Sequence, residues 1–114
     1  MSDIEWKNHT FEELKQAENS RQQGNEGRAR VCARRAAGHV AGEYLGRCGI
    51  QVDTMNALTR LKVMLTRTEL SPRTMSTLEH FLIHTTPEHD LPMEADLIED
   101  VKFLARELLD EDLE

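Results

Sequence analysis

The most constraining feature of this sequence is a run of small residues at helical spacing between Glu26 and Gly46. Apolar side chains recur there with a period near 3.6, so they form one face of a long second helix. That face comprises Ala29, Cys32, Ala33, Ala36, Val40 and Tyr44. Because most of these side chains are small, a neighbouring helix can approach closely. Aromatic residues make up only 4% of the chain, so the core must be mainly aliphatic.

The segment before this helix carries its own helix signals. Thr10 and Glu13 have capping-box spacing, which predicts that the first helix begins at Thr10. Its apolar positions are Phe11, Leu14 and Ala17. Gly24 is the expected left-handed stop, and Asn25 is the expected N-cap of the second helix.

A third helix is predicted between Gly49 and Thr68. Asp53 or Thr54 is expected to cap it, and it should end near Thr68. Its apolar stripe is expected to comprise Met55, Leu58, Leu61 and Leu65.

Two more helices are predicted towards the C-terminus. Ser71 is a good N-cap, and Pro72 fits the first turn because its missing amide is not needed there. The inward residues of that fourth helix should be Met75, Leu78, Phe81 and Leu82. The last helix is expected from about Met93 to Asp110, with an apolar seam of Leu97, Val101, Leu104 and Leu108.

Length and patterning together predict one all-α domain. No segment alternates apolar and polar residues for long enough to predict a strand. The 114 residues suffice for one compact unit, so residues 1–114 are expected to form a single up-and-down bundle of about five helices.

Composition and charge limit which partners, cofactors and cell compartment we expect for this protein. A net charge of -7 argues against a general nucleic-acid coat protein and against a basic membrane binder. No apolar run is long enough to span a membrane, and the N-terminal residues do not resemble a secretory signal. Cys32 and Cys48 lie too far apart on one helix to pair, so we expect free thiols and a cytoplasmic location. No motif indicates a metal site or a cofactor.

Glycines form a second regular feature of the long helix. Gly38, Gly42 and Gly46 are spaced four residues apart, although each internal glycine costs a helix about 1 kcal/mol relative to alanine. Close helix contact, within the bundle or across a dimer axis, is the preferred interpretation. The alternatives are a ligand approaching the backbone, no special role for the stripe and, for Gly46, a helix cap.

Charge is distributed unevenly. Residues 21–47 contain six arginines and two glutamates, whereas residues 88–114 contain eleven acidic residues and two basic ones. The arginines of the first region can form ion pairs with the carboxylates of the second region within the bundle. The functional alternative is an anion site formed by Arg28, Arg34, Arg35 and His39, where arginines bind a phosphate.

Histidines supply the remaining candidates for chemistry. His80 and His84 lie one turn apart and His89 follows, which is compatible with metal binding, but we favour solvent-exposed side chains. Arg73 with His80 forms one arginine–histidine pair, and Arg34 with His39 forms another. Such pairs can serve metal-independent RNA cleavage, in which the histidine moves the 2'-hydroxyl proton and the arginine stabilises the phosphate charge.

Phe103 is expected to be exposed, because it lies opposite the apolar seam of the last helix among acidic residues. An exposed phenylalanine is often without function. If it joins the glycine stripe or Trp6 in one patch, a protein partner becomes the better explanation.

The segment FEELKQAENSRQQGNEGRARVCARRAAGHVAGEYL resembles the opening hairpin of the HEPN family of small α-helical proteins. A short helix, a glycine-centred turn and a long alanine-rich helix that ends in Glu-Tyr-Leu carry the resemblance. It implies a bundle that commonly dimerises, with nucleotide or RNA binding, or with ribonuclease activity in toxin–antitoxin and defence systems. Catalytic members have an arginine followed by a histidine in a late helix near the dimer interface, as Arg73 and His80 are spaced in the fourth helix.

We therefore expect a non-catalytic, self-associating helical binding module with affinity for a nucleotide or RNA phosphate. A homodimer is the expected assembly, and a protein partner is a further expectation. The contact residues would be Gly38, Gly42, Gly46 and Phe103. The alternative is a HEPN-type ribonuclease that uses Arg73 and His80.

Overall fold

The computed structural model describes residues 3–82 and 96–113, and within them it contains five α-helices. These are α1 (Asp3–Gln22), α2 (Glu26–Arg47), α3 (Ala57–Met64), α4 (Pro72–His80) and α5 (Leu97–Leu109). The central element is α2, which packs against α1, α3 and α5, while α4 packs on α5. The prediction of an all-α bundle is confirmed.

The small-residue face of α2 forms the middle of the core. Ala33, Ala36 and Val40 have no exposed surface, and Leu45 continues this buried face towards the end of the helix. Small side chains let α1 and α5 approach the α2 backbone closely. The large core side chains therefore come mainly from the partner helices: they include Leu14, Leu61, Leu78, Phe81 and Leu104.

The start of α1 differs from the prediction. The helix begins at Asp3, so Thr10 lies inside it and cannot cap it. Thr10 is fully buried, and its Oγ1 donates a hydrogen bond of 2.7 Å to the carbonyl oxygen of Trp6, one turn earlier. Burial of Trp6 anchors this additional N-terminal part in the core. The capping-box pattern at Thr10 therefore does not mark the start of the helix. A serine or threonine hydroxyl inside a helix can also donate a hydrogen bond to a backbone carbonyl oxygen one turn earlier.

The turn between α1 and α2 confirms the local prediction. Gly24 adopts a left-handed φ of 80°, a conformation that most side chains disfavour. The Asn25 side chain then accepts a hydrogen bond from the backbone N–H of Arg28, as an N-cap does.

Helix α3 is shorter than predicted and starts later. Its N-cap is Asn56, whose Oδ1 accepts a hydrogen bond of 3.0 Å from the Thr59 N–H, so the predicted caps Asp53 and Thr54 are wrong. The helix ends at Met64 rather than near Thr68. Met55 precedes the helix and is 70% exposed, so it does not belong to the apolar stripe.

The C-terminal helices close the core. Ser71 caps α4 as predicted, and its Oγ accepts a hydrogen bond from the Thr74 N–H. Asp96 caps α5, which therefore begins at Leu97 and not at Met93, a residue outside the described part of the chain. The predicted α5 seam is buried at Leu97, Val101 and Leu104.

Candidate functional site

The glycine stripe of α2 consists of Gly38, Gly42 and Gly46. The first two of these glycines are in close contact with α3. A Cβ on Gly38 would lie 2.6 Å from the Cβ of Ala57 and 2.9 Å from its Cα, so the start of α3 needs this glycine. A Cβ on Gly42 would lie 2.5 Å from Nη1 of Arg60. Both neighbours belong to the same chain, so the close packing predicted for these two positions occurs within the bundle.

Gly46 has a different environment. It is exposed, and an added Cβ would meet nothing within 4 Å. Nor does it cap α2: the helix continues to Arg47, and the left-handed residue that follows it is Gly49, with a φ of 79°. A contact of Gly46 with a second copy of the chain stays a prediction.

Arg60 occupies the space that Gly42 leaves open. Its Nη1 donates to the carbonyl oxygen of Gly38 at 3.2 Å, and its Nε donates to that of Thr54 at 3.0 Å. The guanidinium therefore ties the connection before α3 to the side of α2. Burial lowers the pKa of Arg60, and no carboxylate within residues 3–82 and 96–113 pairs with it.

A cleft of about 390 Å³ lies between α2 and the start of α3, and we call it the α2–α3 cleft. Arg34, Arg35 and His39 line it, so the structure brings together three of the four residues of the predicted anion site. Arg28 is exposed in the first turn of α2 and does not line the cleft. Arg28 therefore stands apart from the other three residues of the predicted cluster, although it is only three residues before Val31, which lines the cleft.

The two arginines of this cleft differ in their contacts and exposure. The Nε of Arg34 donates to the carbonyl oxygen of Phe81 at 3.3 Å, which fixes the side chain and leaves its terminal nitrogens for a ligand. Arg35 is exposed. Glu13 from α1 also lines the cleft, and Met55 and Val31 supply apolar surface. The two guanidinium groups therefore stand in a groove with mixed polar and apolar walls.

His39 forms a stacked pair with His9 across the α1–α2 interface. The two ring centroids are 5.1 Å apart and the rings are inclined by 20°. Burial lowers the pKa of His39, and the neighbouring His9 and Arg60 lower it further. His39 is therefore neutral near pH 7 and adds no charge to the cleft. Sequence reasoning missed His9, because the predicted start of α1 at Thr10 left it outside the helix.

A second cleft, of about 440 Å³, lies between α4 and α5, and we call it the α4–α5 cleft. Arg73 and His80 from α4 line it together with Asp100, Lys102 and Arg106 from α5. The Nδ1 of His80 lies 2.9 Å from Oδ2 of Asp100, and the two side chains are only 19% and 18% exposed. The prediction that His80 is solvent-exposed is therefore wrong. Burial raises the pKa of Asp100, and the His80 contact opposes that shift.

Phe103 lies in the same cleft under Arg73. The Cζ of Arg73 is 4.5 Å from the centroid of the Phe103 ring, a cation–π contact that orients the guanidinium. Phe103 is half-buried and packs against the core, so the prediction that it is exposed is wrong. The error came from treating α5 in isolation, because α4 covers the flank on which Phe103 lies.

The α4–α5 cleft places one imidazole beside several cationic side chains. His80 is oriented through Nδ1, which leaves Nε2 for proton transfer. Arg73 and Arg106 supply positive charge near it. The second arginine–histidine pair, Arg34 and His39, lines the α2–α3 cleft, but without a carboxylate bonded to the imidazole in the described part of the chain.

The arginine-rich and acidic regions meet at Arg21. Its guanidinium contacts Glu26 at 2.8 Å and Asp96 at 3.1 Å, which joins the end of α1 to the first residue of α2 and to the N-cap of α5. Arg47 pairs with Glu43 within α2. Arg21 therefore forms ion pairs within the bundle. Arg34 and Arg35 form no ion pair with a carboxylate among the described residues.

Other predicted features have simple outcomes. Cys32 is buried, Cys48 is exposed, and both are free thiols as predicted. His84 and His89 lie outside the described residues. Over residues 3–82 and 96–113, no three His, Cys, Asp or Glu side chains are arranged to hold a metal ion. In the same ranges, no helix combines the length and the apolar character needed to cross a bilayer.

Comparison of the chain with models of protein families, with curated proteins and with solved structures finds no match. The described residues thus form a small all-α bundle, and arginines line surface clefts between its helices.

Proposed function

We propose that this chain is a non-catalytic, self-associating helical module that binds a phosphate group of a nucleotide or RNA in the α2–α3 cleft. The observation that carries the proposal is the joint lining of this cleft by Arg34 and Arg35. Arginine binds phosphate through a planar fork of donors, and Arg34 is already held in place by its bond to Phe81. The setting we propose is a reducing cytoplasm, in keeping with two free cysteines.

Binding of a short radiolabelled RNA and of a nucleoside monophosphate tests this proposal. Arg35→Gln should weaken binding at least about tenfold, since a charge-assisted hydrogen bond contributes about 1.5 to 3 kcal/mol. Arg28→Gln is the matched control, because Arg28 is an exposed arginine of the same helix outside the cleft. Equal losses in the two variants, or no binding by the unmodified protein, would contradict the proposal.

Self-association is the second part of the proposal. It is supported by two exposed apolar side chains at the α2–α3 cleft, Val31 and Met55, which are 39% and 70% exposed. Light scattering on the purified protein should give the mass of a homodimer. Met55→Glu should lower the measured mass to that of a monomer. An unmodified protein that is monomeric at all concentrations would contradict the proposed self-association.

A second candidate function, a metal-independent ribonuclease, is favoured by the α4–α5 cleft. This activity requires Arg73 and His80 in one cleft, and the contact between His80 and Asp100 would orient the imidazole. The same activity is what a HEPN-like relationship implies. RNA cleavage in the presence of a chelator should then be abolished by His80→Ala and retained by His39→Ala. Absence of cleavage, or equal cleavage by the His80 variant, would eliminate this candidate.

A further inference from the structure

His39 stands where two clefts adjoin. It lines the α2–α3 cleft together with Arg34 and Arg35, and it also lines a third cleft, of about 360 Å³, on the side of α1. Arg35 and His39 are four residues apart on α2, so their side chains project from the same face of the helix. A phosphate held by the two arginines would therefore lie beside the imidazole.

The imidazole of His39 is held in place by its contact with α1. Its ring stacks on the ring of His9 with 5.1 Å between the centroids, and the side chain is half-buried. His9 lines the third cleft but not the α2–α3 cleft. One face of the His39 ring is thus covered by α1, while the residue still forms part of the wall of the α2–α3 cleft.

Charges of both signs surround His39. The charged and titratable groups that line the same two clefts are Glu5, His9 and Glu13 of α1, Arg34, Arg35 and Glu43 of α2, and Arg60 of α3. Glu43 is neutralised by Arg47 at 2.8 Å. Burial lowers the pKa of His39, and His9 and Arg60 lower it further, so the free protein has a neutral imidazole there near pH 7.

An anion in the α2–α3 cleft would oppose these effects on His39. A negative charge close to an imidazole favours its protonated form, so the pKa of His39 should be higher in the complex than in the free protein. The complex then binds a proton that the free protein does not. By linkage, affinity for the anion should rise as the pH falls through the pKa of the complex, and it should level off below the pKa of the free protein.

We propose that His39 makes anion binding in the α2–α3 cleft proton-linked, so that affinity for a phosphodiester increases on acidification and binding takes up as much as one proton. This inference rests on the phosphate-binding function proposed above. His39 is the residue that can supply the proton site, because no second histidine lines this cleft in the described part of the chain. His80 lies in the α4–α5 cleft.

Binding of oligouridylate without terminal phosphates tests the inference at about pH 6 and about pH 8, on either side of the ordinary pKa of histidine. The phosphodiesters and uracils of this ligand do not titrate in that interval, so a change in affinity reports on the protein. Affinity should be at least about threefold higher at about pH 6, because a shift of one pKa unit corresponds to about a tenfold change. Calorimetry in two buffers that differ in ionisation enthalpy should show net proton uptake.

His39→Gln keeps a polar side chain that cannot titrate. This variant should bind at about pH 8 with nearly the affinity of the unmodified protein. It should lose both the pH dependence and the proton uptake. His9→Gln is the matched control and should keep both, because His9 stacks on the same ring without lining the α2–α3 cleft. The proton uptake of the unmodified protein tests the inference without any variant.

The outcomes separate the inference from the function on which it rests. Absence of binding at both pH values would contradict phosphate binding itself, and the inference with it. Binding with equal affinity at both pH values, or without proton uptake, would overturn the proton linkage alone. A pH dependence that persists in His39→Gln would also overturn it, because a different group would then take up the proton.

Discussion

His80 and Asp100 join α4 to α5 through a contact of 2.9 Å between Nδ1 and Oδ2. Both side chains are mostly buried, so the carboxylate depends on the imidazole for its hydrogen bond. The pair lies beside the stacked Arg73 and Phe103. The position of α4 on the bundle therefore rests partly on polar contacts in the α4–α5 cleft.

Removal of one partner of this pair should cost more than removal of both. His80→Leu leaves a buried carboxylate without its partner, which should lower the free energy of unfolding by about 1 to 3 kcal/mol. The double variant His80→Leu/Asp100→Leu should be more stable than His80→Leu, because it leaves no unpaired charge. Urea denaturation of the two variants measures this difference. A double variant no more stable than His80→Leu would contradict this prediction.

Alanine substitutions along the glycine stripe should have opposite effects. Gly38→Ala forces a methyl group against the Ala57 backbone, so it should lower stability by about 1 to 3 kcal/mol. Gly46→Ala meets open space and should raise stability by up to about 1 kcal/mol through helix propensity. Denaturant titration of the two variants provides the comparison. A stabilised Gly38 variant would show that α3 does not approach α2 so closely.

Mutation can distinguish Asn25, which caps α2, from Thr10, which has the sequence pattern of a cap but lies inside α1. Asn25→Ala removes an N-cap and should cost about 1 kcal/mol. Thr10→Val lies inside α1 and should change stability by less than about 0.5 kcal/mol, because its hydroxyl bonds only back to its own helix. Thermal unfolding of both variants tests this contrast. A loss in Thr10→Val as large as in Asn25→Ala would restore the capping role.

His39 should make the bundle sensitive to acid. Its pKa is lowered from 6.5 in the folded state, so the unfolded chain binds the proton more readily. Stability from this residue is therefore complete above pH 6.5 and is lost as the pH falls through the lower folded value. His39→Phe keeps an aromatic ring beside His9 and should lose less stability on acidification. Denaturation midpoints of the two proteins above and below pH 6.5 measure the effect; parallel declines would contradict it.

Much of the fold could be predicted because its signals are local. Gly24, Asn25 and Ser71 act through backbone groups within a few residues, so their roles depend little on the rest of the molecule. The buried face of α2 follows from the spacing of small apolar residues, which is a property of the helix itself.

The starts of α1 and α3 could not be predicted in this way. Trp6 extends α1 because it finds a place in the core, and no local pattern announces that. Asn56 rather than Thr54 caps α3 because the preceding connection is held to α2 by Arg60. In both cases a contact distant in sequence outweighed the nearest capping residue.

The candidate sites could likewise be predicted only where their residues lie on one helix. Residue types and spacing sufficed to pair Arg34 with His39 and Arg73 with His80, since each pair lies on one helix. The partners that define their chemistry come from other helices: Asp100 for His80, Phe103 for Arg73 and His9 for His39. Helical periodicity specifies which side chains share a face, but the packing of one helix on another specifies what that face meets. For this reason the helical class could be read from the chain, whereas the contents of each cleft required the assembled bundle.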